Sequence, residues 1–138
     1  GATFGTPERT VCLFTGDGGL QMSIQEFGTI MEQQVPVKMI LLNNNYLGNV
    51  RQWQDMFFGH RQSFTRMLNP QYECICKGYG INYDVVIDRK DLKAKVEKML
   101  ATDGPYLLEC AIKEEDNVLP MTSPGKCVDE MMLEINID

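Results

Sequence analysis

Thr10-Val11-Cys12-Leu13-Phe14-Thr15, followed at once by Gly16-Asp17-Gly18-Gly19, is the stretch that decides how this chain folds. A continuous run of apolar, β-prone residues closed by glycines suits a strand buried on both faces. The glycines let the backbone turn sharply and present its N–H groups to an anion. Asp17 puts a carboxylate in the same place, where it would repel a phosphate unless a divalent cation lay between them. Mg²⁺ favours such a setting, since it takes one or two carboxylates together with phosphate oxygens and water. Alone, Gly16–Gly19 reads more readily as a plain strand-to-turn connection, because Gly and Asp dominate turns. Neither a G-x-G-x-x-G fingerprint nor a Walker A lysine is present.

Working outward, Ser23 stands three residues before Glu26, the spacing of a capping box, and Ile24, Phe27, Ile30 and Met31 repeat as one helical face. Pro36 closes the gap after that helix. Val37 to Leu42 reads as a second buried strand, cut off by Asn43-Asn44-Asn45. Gly48 to Phe58 is expected to be helical. Asn69-Pro70 suggests an N-cap with Pro at the first helical position, opening a helix towards Gly78 or Gly80. Asn82 to Ile87 gives a third strand. A charged helix from Asp88 or Lys90 carries Leu92, Val96, Met99 and Leu100 on one face, and Tyr106 to Ile112 follows as a fourth strand. Strands alternating with helices imply an α/β fold: a mostly parallel sheet covered by helices on both faces. Ligands in such folds sit beyond the carboxyl ends of the strands. If the first two strands are neighbours, Asp17 and one of the asparagines can reach the same ion. The triple Asn also has a plain turn reading, because Asn tolerates left-handed backbone geometry.

With 138 residues, 43% hydrophobic and 23% charged, the chain is one domain's worth of soluble globular protein. A net charge of −6 argues against nucleic acid, which calls for a basic face. No stretch approaches the roughly 18–20 apolar residues of a membrane span. Five cysteines, an odd number without paired metal-ligand spacing, are expected to be reduced thiols, with Cys12 and Cys110 in strands. His60 reads as a surface histidine, and Arg51 and Arg61 as solvated charges. Gly1 to Pro7 reads as a loop leading into the first strand, with neither an initiator Met nor a secretory signal, so a piece of a longer, cytoplasmic chain is expected.

Gly16-Asp17-Gly18, continued through Gln25-Glu26 and Pro36-Val37 to Asn43-Asn44, resembles the GDG…NN motif that binds thiamin diphosphate, with 27 positions from Asp17 to Asn44. The segment from Tyr46 through Gln52-Trp53-Gln54 is similar to acetohydroxyacid (acetolactate) synthase large subunits. So are Asp103-Gly104-Pro105-Tyr106-Leu107-Leu108, Asn117-Val118-Leu119-Pro120-Met121 and Pro124-Gly125. The resemblance covers almost the whole chain, which it casts as a single C-terminal pyrophosphate domain, residues 1–138, truncated at its N-terminus.

The resemblance implies that Asp17, Asn44 and the backbone carbonyl of Tyr46 hold Mg²⁺. It implies that Gly16, Gly18 and Gly19 meet the diphosphate, that Leu47, Gly48 and Asn49 line its far side, and that Met22 lies near the cofactor's organic part. Many such synthases carry Met where this chain has Asn49. Trp53 is similar to the tryptophan that shapes the pocket for the second 2-oxo acid, favouring 2-oxobutyrate beside pyruvate. The implied reaction decarboxylates pyruvate and condenses it with a second 2-oxo acid, giving 2-acetolactate or 2-aceto-2-hydroxybutyrate in the biosynthesis of valine, leucine and isoleucine. The family's activating glutamate belongs to another domain, normally of the partner subunit, and FAD, where it is bound, to a middle domain. This piece alone is therefore expected to be inactive, and the whole to be a homodimer or higher homo-oligomer with sites at the subunit interface, with a small regulatory subunit as a further partner. The alternatives are a domain of another thiamin-dependent 2-oxo acid decarboxylase or oxidase, and a non-catalytic domain of the same fold.

Overall fold

The computed structural model describes residues 1–114 and 117–134. Four strands, β1 (Cys12–Gly16), β2 (Lys38–Asn43), β3 (Asn82–Val86) and β4 (Tyr106–Ala111), form one sheet in the order β1-β2-β4-β3, every pair parallel. The helices α2 (Asp17–Ser23) and α3 (Glu26–Glu32) connect β1 to β2. The helices α4 (Gly48–Phe57) and α5 (Tyr72–Gly78) carry the chain across β4 to β3, and α6 (Leu92–Ala101) returns it to β4. A one-turn helix, α1 (Ala2–Gly5), replaces the expected N-terminal loop.

Alternation along the central strands sends side chains to opposite faces. Met39, Leu41 and Leu107 meet Leu20, Phe27, Tyr72 and Cys76 on one face, and Ile40, Leu108 and Cys110 meet Met99 of α6 on the other. The sheet is thus covered on both faces, as expected, around β2 and β4. The edge behaves differently. The expectation that the first strand is buried on both faces fails: β1 pairs only with β2, and Leu13 and Phe14 are 46% and 68% exposed. An apolar run reads the same in sequence whether or not anything packs over it.

Two helix starts also move. The helix after β1 begins at Asp17, and Ser23 is its last residue, not an N-cap. Extended Gly16 takes the capping position, and an acidic side chain in the first turn suits the positive end of the helix dipole. Likewise α5 starts at Tyr72 with Gln71 as N-cap, two residues beyond Asn69, whose side chain is thereby released for other work. Among the described residues no helix is long and apolar enough to cross a membrane. The five cysteines are free thiols, Cys76 and Cys110 buried.

On the α6 face, Asp84 of β3 accepts hydrogen bonds from Lys95 Nζ at 3.0 Å and Lys98 Nζ at 2.9 Å. Burial alone would raise this carboxyl, but the two lysines and the Val85 N–H outweigh it and hold it at about 2. Its folded pKa lies below the unfolded one, so its stabilisation is complete above about pH 4 and lost as pH falls towards 2. Asp84→Asn is therefore expected to cost about 1–2 kcal/mol at neutral pH and only a small fraction of that at pH 2. Urea titrations of both proteins at the two pH values measure the difference.

Candidate functional site

The register Gly16↔Leu42 brings the carboxyl tips of β1 and β2 side by side. Beyond them lies a cavity of about 350 Å³. Gly16, Asp17, Gly18 and Gly19 line it from the first tip, and Leu42, Asn44, Tyr46 and Leu47 from the second. Gly48, Asn49 and Val50 close it with the first turn of α4, and Ile112 follows β4. Asp17 and Asn44 therefore face one space. Of the residues singled out from sequence, Met22 and Trp53 are not on this wall: Met22 is 75% exposed on α2, and Trp53 lies further along α4, packed edge-to-face on Phe57. Helical spacing nevertheless puts Trp53 one turn beyond Asn49 and Val50 on the same helix face.

Local chemistry shapes each tip. Asn45 takes a left-handed conformation (φ 58°), the geometry Asn tolerates, and this turns the chain away from β2. Asn44 Oδ1 accepts the Tyr46 N–H at 3.1 Å. Tyr46 bridges Arg66 in antiparallel fashion, but the bridging bonds belong to its neighbours: Leu47 N–H to Thr65 O, and Met67 N–H to Asn45 O. In such a pair, the central residue's own N–H and C=O point the other way. The Tyr46 carbonyl thus faces the side on which Asn44 caps its N–H. Where the tips meet, any side chain larger than glycine's would force its neighbours to shift. A Cβ on Gly18 would stand 2.7 Å from Leu47 Cδ2, and one on Gly48 would stand 3.0 Å from Asn44 Nδ2.

Asp17 is 1% exposed, and among the described residues no Lys, Arg or His pairs with it. Its carboxylate accepts only neutral donors, the Gly18 N–H at 3.1 Å and Asn69 Nδ2 at 2.8 Å. A buried charge that no basic side chain offsets is costly, and a cation in the adjoining cavity would compensate it. One carboxylate, one amide oxygen and one backbone carbonyl, all hard oxygen donors, suit Mg²⁺. Each accepting oxygen retains a further lone pair for it. The residues present fit a metal-bound diphosphate: the helix start offers the Gly19 N–H, while the Gly18 N–H is bonded to Asp17 Oδ1.

Sequence reasoning missed several contributors. Asn69 joins the strand tips, and Glu109 of β4 accepts from Asn43 Nδ2 at 2.7 Å and from the Tyr83 hydroxyl at 2.6 Å. A carboxylate inside the apolar run Tyr106–Ile112 was the available signal. Arg51 is not a free solvated charge: it stacks over the Tyr46 ring at 4.2 Å and donates to Glu114 O at 2.8 Å. Gln52 is buried and clasps Val118, donating to its carbonyl at 3.0 Å and accepting its N–H at 2.8 Å, which fastens the C-terminal segment to α4. His60 is half exposed with Asp55 3.3 Å away.

Residues 1–110 match the family described as thiamine pyrophosphate enzyme, C-terminal TPP binding domain. The Escherichia coli (strain K12) acetolactate synthase isozyme 2 large subunit is 39% identical over 137 residues, covering 99% of this chain and 25% of that protein. The acetolactate synthase large subunit of Cyanidium caldarium is 36% identical over 134 residues, 96% of this chain and 23% of its own length. The chloroplastic acetolactate synthase 2 of Nicotiana tabacum is 37% identical over 97% of this chain and 21% of its own. The chain thus spans about a quarter of the length of these relatives. Among solved structures, the Rhodococcus jostii RHA1 thiamine diphosphate-dependent 4-hydroxybenzoylformate decarboxylase superposes with a TM-score of 0.73 at 24% identity, covering 83% of this chain and 22% of that one; this likeness speaks to fold.

Proposed function

Because this chain belongs to the thiamine pyrophosphate enzymes, as their C-terminal TPP-binding domain, we propose that it is the pyrophosphate domain of an acetolactate synthase large subunit. The observation that carries the cofactor assignment is the buried carboxylate of Asp17, with no basic partner among the described residues, sharing a cavity with Asn44 across two adjacent strand tips. The identity of 36–39% to synthases in three organisms, over nearly the whole chain, supports the choice of reaction.

In this reading Asp17, Asn44 and the Tyr46 carbonyl hold Mg²⁺, which anchors the diphosphate together with the Gly19 amide, and with the Gly18 amide once Asp17 Oδ1 turns to the metal. Thiamin diphosphate supplies the electron sink that makes decarboxylation of a 2-oxo acid and carbon–carbon bond formation accessible. The chain's own contribution is to orient and to shield. Leu47, Gly48 and Asn49 form the far wall, Met22 stands on the exposed side of α2 towards the cofactor's organic part, and the Gln52–Val118 clasp holds the C-terminal segment against α4, where it helps exclude water. Pyruvate and a second 2-oxo acid, pyruvate or 2-oxobutyrate, are the substrates, and 2-acetolactate or 2-aceto-2-hydroxybutyrate the products for branched-chain amino-acid biosynthesis. The activating glutamate and any FAD come from regions outside these 138 residues. A homodimer or higher homo-oligomer with interfacial sites, a regulatory small subunit and a cytoplasmic location complete the reading, and residues 1–138 alone are inactive.

Trp53 separates this reaction from that of another thiamin-dependent decarboxylase. Pyruvate and 2-oxobutyrate differ by one methylene, which a pocket discriminates by roughly 10- to 200-fold. Trp53→Leu in the intact protein is expected to lower the ratio of 2-aceto-2-hydroxybutyrate to 2-acetolactate at least about tenfold when the two acids compete. Absence of both products from wild-type protein given pyruvate, thiamin diphosphate and Mg²⁺ overturns the proposal. An unchanged ratio removes Trp53 from the pocket.

A further inference from the structure

Asn69 makes more polar contacts than any other side chain at the strand tips, and no motif points to it. Its Nδ2 donates to Asp17 Oδ2 at 2.8 Å, to Asn43 Oδ1 at 2.8 Å and to Asn45 Oδ1 at 3.2 Å. Its Oδ1 accepts from Gln21 Nε2 at 2.6 Å and from the Tyr72 hydroxyl at 3.2 Å. Both ends of the amide are thereby committed, so it can sit only one way round. Tyr72 is buried, and burial, foremost, pushes its hydroxyl up to about 12, which keeps it a donor throughout the physiological range.

The placement of these contacts is informative. Asn69 grips the oxygen of Asp17 that the Gly18 N–H leaves free, and it also grips the residues on either side of Asn44. Asn43 is in turn held by Glu109 on β4, and Glu109 by Tyr83 on β3. One amide thus sets the tip of β1 and the tip of β2 relative to each other, and all four strands are braced behind it. A side chain needed only to fill space would not require five polar partners on three elements.

We propose that Asn69 is a positioning residue that orients the Asp17 carboxylate and the Asn44 amide into one cation site. The inference rests on the reading that this site holds a metal-bound diphosphate. Residues that orient metal ligands from outside the coordination sphere change metal affinity by about 10- to 100-fold when removed. A residue with a purely structural role changes stability and leaves metal affinity alone.

Mn²⁺, which accepts the same oxygen donors as Mg²⁺, provides the probe. Its binding to the intact protein with thiamin diphosphate is read from the loss of the free-ion electron paramagnetic resonance signal. Asn69→Ala is expected to weaken Mn²⁺ about 10- to 100-fold, with excess metal restoring turnover. Gln21→Ala, which removes one brace on the amide from a half-buried position, is expected to weaken it about threefold to tenfold, the worth of one neutral hydrogen bond. Asp84→Asn lowers stability on the opposite face of the sheet and should leave Mn²⁺ affinity unchanged. Folded Asn69→Ala protein binding Mn²⁺ within twofold of wild type overturns the proposal. Should Asn69→Ala fail to fold, wild-type affinity in Gln21→Ala overturns it instead. Wild-type protein that binds no Mn²⁺ in the presence of the cofactor removes the parent reading, and this inference with it.

Discussion

Asp17→Ala in the intact protein is expected to abolish Mg²⁺-dependent binding of thiamin diphosphate, an affinity loss of at least about 100-fold. The readout is quenching of Trp53 fluorescence as the cofactor is added at fixed Mg²⁺; Trp53 is the one tryptophan of the chain and stands one turn from the cavity wall. The size follows from the donor set, in which Asp17 is the only carboxylate and therefore supplies the charge that draws Mg²⁺ out of water. Stability without metal should move in a different way. Alanine leaves the Gly18 N–H and one Asn69 Nδ2–H donor without their acceptors, at about 1–3 kcal/mol. It also relieves the cost of a buried carboxylate that no basic side chain among the described residues compensates. The two effects oppose, so the metal-free melting temperature should shift by only a few degrees. Quenching that survives at wild-type cofactor concentrations would falsify the assignment of the cation site. A large loss of metal-free stability would mean that Asp17 is primarily a folding residue.

The second large effect is on stability. Leu41→Ala is expected to destabilise the protein by about 2–5 kcal/mol, read as a lower urea midpoint with an unchanged slope. Leu41 is fully buried on β2, between β1 and β4, and its side chain packs in the cluster formed with Leu20, Phe27, Tyr72 and Leu107. The neighbours are held from both sides by paired strands, so they cannot collapse into the vacated volume. β2 ends at Asn43, two residues further on, and runs directly into Asn44, which ties the stability of this strand to the integrity of the site. A cost under about 1 kcal/mol would show that the central strand tolerates a void and that the sheet is less tightly packed than its burial indicates.

Much of this was legible in the residues themselves. The glycines and Asp17 after an apolar run, and the asparagines after a second one, mark two strand tips, and parallel pairing of β1 with β2 makes them adjacent. Helix α4 begins at Gly48, as expected. The errors have specific causes. Ser23 and Glu26 have capping-box spacing, yet the helix had already begun at Asp17, since a local pattern cannot reveal a stronger start six residues upstream. Asn69-Pro70 has the chemistry of a helix entry, but the same side chain finds acceptors on two strand tips, and those contacts lie 24 to 52 positions away in sequence. Arg51 was read as solvated because its partners, the Tyr46 ring and the Glu114 carbonyl, meet it only after the chain has folded back.

Sequence alone determined the alternation of strands and helices, the family, and which residue types stand at the two turns, because periodicity, turn chemistry and motif spacing are local properties of the chain. Tertiary structure decided the rest. It left β1 at an edge with Leu13 and Phe14 exposed, buried Asp17 where no basic side chain among the described residues pairs with it, set the Asn44 amide on the Tyr46 N–H, and recruited Asn69 and Glu109 to brace them. Burial and charge compensation depend on what packs against a residue from distant parts of the chain, and neighbours along the sequence carry no record of that.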